Sequence, residues 1–180
     1  FKNGRVSPYL IWLETPKNPS CTMEDISLYI EKAKKIGAAV LVDSTFGTPV
    51  LQKPLLLGAD FVLHSATKYM SGHSDILAGV LVVKDELTHK KLQKERSVIG
   101  NTLGNMETWL LLRSIRTMEI RVNQQSRTAQ LLAEWLESQI DNSETDKRVT
   151  KVWYPTLQSN PKDVEICKKQ MGGRGPGILS

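Results

Sequence analysis

The chain of 180 residues is 40% hydrophobic and 24% charged, with a formal net charge of +5, 12 Gly, 8 Pro and 2 Cys. At roughly 100–200 residues per domain, that allows one domain, or one and a piece of a second. No window approaches the ~20 uninterrupted apolar residues of a membrane-spanning helix. Cys21 and Cys167 lie far apart without Cys-x-x-Cys spacing, which excludes a disulfide scaffold and a thiolate zinc site built within the chain and points to a reducing compartment. The opening Phe1-Lys-Asn-Gly carries no initiator Met, apolar signal core or Arg/Ser-rich leader, and both ends read as cut. The positive excess is dispersed. Its densest run, Lys84–Arg96 (KDELTHKKLQKER), mixes in Asp85, Glu86 and Glu95 and holds no aromatic residue to stack on a base, so it reads as a solvated helix face rather than a nucleic-acid patch.

In chain order, Tyr9–Leu13 reads as a buried strand closed by the turn residues Pro16, Asn18 and Pro19. Thr22 is the expected N-cap of a helix with Glu24 and Asp25 in its first turn. Met23, Ile26, Ile30, Ala33 and Ile36 keep its spacing, and Gly37 stops it. Ala38–Val42 is a second strand, Pro49–Leu57 a short helix stopped by Gly58, Asp60–His64 a third strand and Gly79–Val83 a fourth. Short apolar strands joined by helical crossovers predict an α/β fold with a mostly parallel sheet flanked by helices. Asn105 to about Gln139 reads as a long helix whose polar middle, Asn123–Thr128, suggests passage from one domain into another. The expected units are residues 1–120 and 121–180. Trp109 and Trp135 belong to a core or interface stripe. After the polar loop Asp141–Arg148, a strand is expected at Val149–Tyr154, a helix at Asp163–Met171 and a Gly-rich turn from Gly172 towards Ser180.

In open α/β sheets, ligands bind beyond the carboxyl ends of the strands. The unusual polar clusters sit there: Glu14–Pro19 after the first strand, Asp43–Thr45 after the second and Ser65–Tyr69 after the third. Ser65 and Thr67 place two hydroxyls beside Lys68, which suits holding phosphate oxygens. A lysine able to form a Schiff base and a carboxylate able to pair with a pyridinium nitrogen are the two groups that pyridoxal phosphate chemistry requires, and Lys68 and Asp43 supply them. Asn18 could hydrogen-bond the cofactor's ring oxygen without adding charge. Taken singly, Asp43 could cap the segment after it and Lys68 could be a surface lysine. His64, His73 and Asp75 are spread over different elements, so no metal site is expected; His73 and Asp75 read as residues that orient the lysine loop.

Three stretches, ETPKNPS (Glu14–Ser20), VDSTFG (Val42–Gly47) and above all LHSATKYMSGHSDILAGV (Leu63–Val80), in this order and spacing, resemble the Cys/Met-metabolism family of pyridoxal phosphate enzymes. LLLRSIRT (Leu110–Thr117) is similar to the family's helix between its two domains, and the resemblance covers nearly the whole chain. It implies an aminotransferase-like cofactor domain of fold type I and the start of a smaller α+β C-terminal domain. Pyridoxal 5'-phosphate would sit on Lys68, with Asp43 at the pyridinium nitrogen, Ser65 and Thr67 on the phosphate and Asn18 at the ring oxygen. It further implies a cytoplasmic homodimer or homotetramer acting on a small amino acid, by elimination or replacement at the β or γ carbon of a sulfur amino acid or acyl-homoserine. Ser44 stands where the family often has Asn. The family's Gly-containing phosphate loop, its ring-stacking aromatic residue, its intersubunit Tyr/Arg pair and its carboxylate-gripping arginine have no counterpart in these residues. The alternative is therefore a truncated or noncatalytic family member serving as an interaction or regulatory subunit.

Overall fold

The computed structural model describes residues 9–140, 149–157 and 161–180. One sheet holds β1 (Leu10–Glu14), β2 (Ala39–Asp43), β3 (Phe61–Ser65) and β4 (Gly79–Val83), in that spatial order. The first three strands are parallel, with Glu14 opposite Asp43 and Asp43 opposite Leu63, so their carboxyl ends share one edge. The fourth strand, read with the others as part of a parallel sheet, is antiparallel to β3, with Ser65 opposite Gly79. Residues 66–78 hold no helix. A parallel neighbour needs a crossover to bring the chain back to the starting edge, and without one the chain returns in the opposite direction.

Helix α1 (Ile26–Ile36) buries Ile26, Ile30 and Ala33 against Leu13, Val40, Val42 and Ala59. Its N-cap is Asp25 rather than Thr22: Asp25 Oδ1 accepts the N–H groups of Ser27 at 3.0 Å and Leu28 at 3.3 Å. The Thr22 hydroxyl is instead paired with Ser20 Oγ at 2.9 Å, and Met23 and Glu24 precede the helix. Gly37, at φ +69°, closes the helix as expected.

The helix expected over Pro49–Leu57 is two pieces, α2 (Thr48–Leu51) and a 3-10 turn over Pro54–Leu57. Pro54 has no N–H to continue the ladder and biases Lys53 away from helical geometry. Helix α3 (Glu86–Ile99) has no buried residue and pairs Glu86 with Lys90 at 3.3 Å on its own surface.

The long helix expected from Asn105 divides into α4 (Asn105–Ile115) and α5 (Met118–Ser138). At the break, the Thr117 N–H and hydroxyl both donate to Ser114 O, at 3.2 Å each. The hydroxyl thereby competes with the helical ladder. Helix α5 gives Val122 to a cluster with Met23, Leu51, Ile166, Cys167 and Met171, and Ala129 and Ala133 to another with Val152, Tyr154 and Leu157. Helix α6 (Pro161–Met171) supplies the first of these clusters.

Trp109 and Trp135 are 58% and 57% exposed, so neither is core. Trp12 is 61% exposed because it points to the opposite face of β1 from its neighbours Ile11 and Leu13, which pack against the α1 cluster. The strand expected over Val149–Tyr154 does not form; Trp153 alone exchanges backbone hydrogen bonds with Ser180. Pro155 stops that pairing on one side, and the partner segment contains Pro176 and Gly177. The polar loop Asp141–Arg148 lies outside the described residues. Among the described residues, no helix is long and apolar enough to cross a membrane.

Candidate active site

Strand β2 buries Val40, Leu41 and Val42 and surfaces at the half-buried Asp43. There the chain turns on its own side chains: Asp43 Oδ1 accepts the N–H of Thr45 at 3.0 Å and the Thr45 hydroxyl at 2.6 Å. This is an Asx turn closed by a charge-assisted bond. Thr45 Oγ1 also accepts the N–H of Ser65 at 2.8 Å, which couples the end of β2 to the end of β3. Beneath them, buried His64 bonds through Nδ1 to Ser44 O at 3.0 Å. A carbonyl only accepts, so Nδ1 carries the proton. Burial lowers the pKa of His64, against the raising effects of the Ser44 carbonyl and the Asp43 charge.

The segment after β3 folds back tightly. The Lys68 N–H donates to Ser65 O at 3.1 Å, Ser71 N–H to Ala66 O at 2.9 Å and Gly72 N–H to Lys68 O at 2.7 Å. Lys68 itself is exposed and lines a cavity of about 550 Å³ with Phe46, Thr67, Tyr69, Gln125 and Ile178. The Tyr69 phenol lies against Gly177. Burial pushes its pKa up to about 12, and the neighbouring Cys21 adds to the rise. The Thr67 hydroxyl donates to Ala78 O at 3.2 Å and accepts from Ala78 N–H at 2.9 Å, pinning the entry of β4 to the lysine loop. Ser71 Oγ donates to Asp75 Oδ1 at 3.0 Å, and His73 Nδ1 bonds Ser71 O at 2.6 Å. His73 and Asp75 thus both grip the segment that follows Lys68.

The structure therefore couples Asp43 to Ser65 through Thr45 and sets Thr67 and Lys68 on one cavity wall. Asn18 stands apart, exposed on the turn after β1, with its N–H on Glu14 Oε1 at 3.3 Å; it shares the carboxyl edge but does not line that cavity. Among the described residues, no three His, Cys, Asp or Glu side chains gather as a metal site, and Cys21 and Cys167 are buried free thiols. Sequence reasoning missed the coupling role of Thr45, although Asp-x-Thr directly after a strand is a legible Asx-turn signal. It also missed Arg121, which reaches Met70 and Tyr69 of the lysine loop from 51 and 52 residues downstream and leaves no local signal.

The family model described as Cys/Met metabolism PLP-dependent enzyme matches residues 4–180. The cystathionine beta-lyase of Bacillus subtilis is 43% identical over 171 residues, which are 95% of this chain and 42% of that protein. The cystathionine gamma-synthase/O-acetylhomoserine (thiol)-lyase of the same organism is 45% identical over 145 residues, covering 81% of this chain and 37% of that protein. Among solved structures, the apo methionine gamma lyase of Micromonospora echinospora superposes with a TM-score of 0.85 at 38% identity, covering 94% of this chain and 44% of that one. The chain spans less than half the length of each of these relatives. With a mostly parallel α/β sheet, a family match over nearly its full length and relatives at about 40% identity, the chain belongs to the Cys/Met-metabolism family of pyridoxal phosphate-dependent enzymes.

Proposed function

We propose that the protein containing these residues is a pyridoxal phosphate-dependent lyase or transferase of trans-sulfuration. Its substrate would be a sulfur amino acid or acyl-homoserine, and the reaction elimination or replacement at the β or γ carbon. The observation that carries this reading is the placement of Asp43 and the Lys68 loop at the carboxyl ends of adjacent parallel strands, joined through Thr45.

The residues fit the cofactor. Thr45 occupies only Oδ1 of Asp43, and among the described residues Oδ2 and the Ser65 hydroxyl have no hydrogen-bond partner. Asp43 Oδ2 would meet the pyridinium nitrogen, Lys68 would hold the cofactor covalently, and Ser65 would bind the phosphate. Thr67 would join Ser65 by trading its longer bond, to Ala78 O at 3.2 Å, for a phosphate oxygen. Asn18 would approach the ring oxygen from the β1 turn. Bound there, pyridoxal phosphate supplies an electron sink for charge developing at the substrate's Cα. On this reading Asp43 would keep the ring nitrogen protonated, and the Lys68 amine would move protons at the substrate's carbon atoms.

Residues 1–120 form the cofactor part on this reading and 121–180 begin the C-terminal part. The setting is the cytoplasm, and the assembly a homodimer or homotetramer. The exposed Trp109, Leu112 and Trp135 supply apolar surface for such contacts. Cystathionine is the first substrate to assay, because the relatives named above include a cystathionine beta-lyase and a cystathionine gamma-synthase. In the complete protein, Asp43→Ala should retain some cofactor and lose most turnover. Turnover equal to the parent's in that variant would overturn the reading.

A further inference from the structure

The structure assigns to Arg121 the positioning of Lys68, an inference that rests on the cofactor-lysine reading above. Arg121 lies in the first turn of α5, half-buried, and its guanidinium bridges the lysine loop and the last turn of α4. Nη1 donates to Tyr69 O at 2.8 Å, and Nη2 donates to Met70 O at 3.2 Å and to Ser114 O at 3.0 Å. Nε is held by Thr117 Oγ1 at 3.1 Å. The two carbonyls next after Lys68 and a carbonyl from the last turn of α4 thus converge on one cation. Ser114 O, which also accepts the Thr117 N–H and hydroxyl, lies at the C-terminus of α4, where positive charge is favoured.

The seat of this cation is a glycine. A Cβ on Gly72 would lie 2.0 Å from Arg121 Nη1 and 2.6 Å from Cζ, so any side chain there would evict the guanidinium. Gly72 also holds φ at +70°, and its N–H bonds Lys68 O. Arg121 and Gly72 therefore form one device, in which the glycine clears the space that lets the arginine lock residues 68–72 against the α4–α5 junction. Loop movement at Tyr69 and Met70 would swing the Lys68 amine relative to Asp43, and the guanidinium suppresses it. A lysine at 121 would keep the charge but offers a single point of donation in place of a planar fork.

The experiment uses the complete protein and its Arg121→Lys, Gly72→Ala and double variants, with Arg116→Ala, exposed on the same helix junction, as the control. Hydrogen exchange in the cofactor-free protein should show the Ser71 and Gly72 amides opening about tenfold faster in Arg121→Lys, with the amides of α1 and β2 unchanged. Cofactor titration should show about tenfold weaker pyridoxal phosphate binding, and the pH midpoint of the bound cofactor's visible band should move. The double variant should add little to either single one, as expected for two parts of one contact. Loop exchange unchanged in Arg121→Lys, or fully additive effects of the two substitutions, would overturn the proposal. Exchange is read without cofactor, so a failure of the cofactor-lysine reading is seen separately: the loop would open in the variants while the parent's cofactor sits on a lysine other than Lys68, which would also overturn the positioning role.

Discussion

Asp43 and Ser65 lie on adjacent strands and share one intermediary: Thr45 donates its hydroxyl proton to Asp43 Oδ1 at 2.6 Å and receives the N–H of Ser65 at 2.8 Å. The orientation of the carboxylate proposed for the cofactor nitrogen is therefore tied to the start of the loop that carries Lys68. Thr45→Val has nearly the same shape but leaves the Ser65 N–H without its acceptor and Asp43 without its strongest donor. The expected result is a loss of about 1–3 kcal/mol in stability together with weaker cofactor binding, and Thr45→Ser should restore most of both. Denaturant titration and cofactor titration of the three proteins check this. Equal behaviour of Thr45→Val and the parent would show that the bridge is not maintained in solution.

His64 makes acid stability a second readout. Its folded pKa is lowered from 6.5, chiefly by burial. Above the unfolded value, both states are neutral and the contribution is complete. As pH falls through it, the unfolded chain takes up a proton that the folded chain resists, and stability is lost. His64→Asn keeps an N–H able to reach Ser44 O but cannot titrate. Thermal unfolding at about pH 7.5 and about pH 5.5 should show a smaller decline for this variant than for the parent. An identical decline would place the acid sensitivity elsewhere.

Helix α6 secures the approach to α1 through two buried side chains. Gln170 Oε1 accepts the Ile26 N–H at 2.8 Å and Gln170 Nε2 donates to Glu24 O at 3.1 Å, while Asp163 Oδ1 accepts the Met23 N–H at 3.1 Å. Gln170→Ala leaves the buried Ile26 N–H without its acceptor and the Glu24 carbonyl with only the Thr15 hydroxyl at 3.4 Å, and should cost about 2–3 kcal/mol. Asp25→Ala removes the α1 cap and the exposed ion pair with Lys169, and should cost only about 1–2 kcal/mol. Chemical denaturation ranks the two, and the reverse order would contradict the account.

What was legible in the sequence is local. Val40–Val42 and the Gly37 stop mark their elements unaided, and the polar residues after each strand mark the site edge, because a parallel sheet puts strand ends together whatever the rest of the chain does. The helix breaks were less visible. Whether Thr22 or Asp25 caps α1 depends on which oxygen finds the free N–H groups, and Thr22 is diverted by Ser20. The split at Thr117 depends on a hydroxyl bonding backward to Ser114. The direction of β4 followed from the absence of a helix in residues 66–78. Gln170 and Arg121 were out of reach, since each acts on backbone atoms far away in sequence, and neither pattern nor composition records such a pairing.

The most direct test of the central claim is borohydride reduction of the complete, cofactor-loaded protein followed by peptide mass mapping. The account predicts a single pyridoxyl adduct on Lys68, lost in Lys68→Ala. An adduct on another lysine, or none in a protein that carries the cofactor's visible absorption, would contradict it.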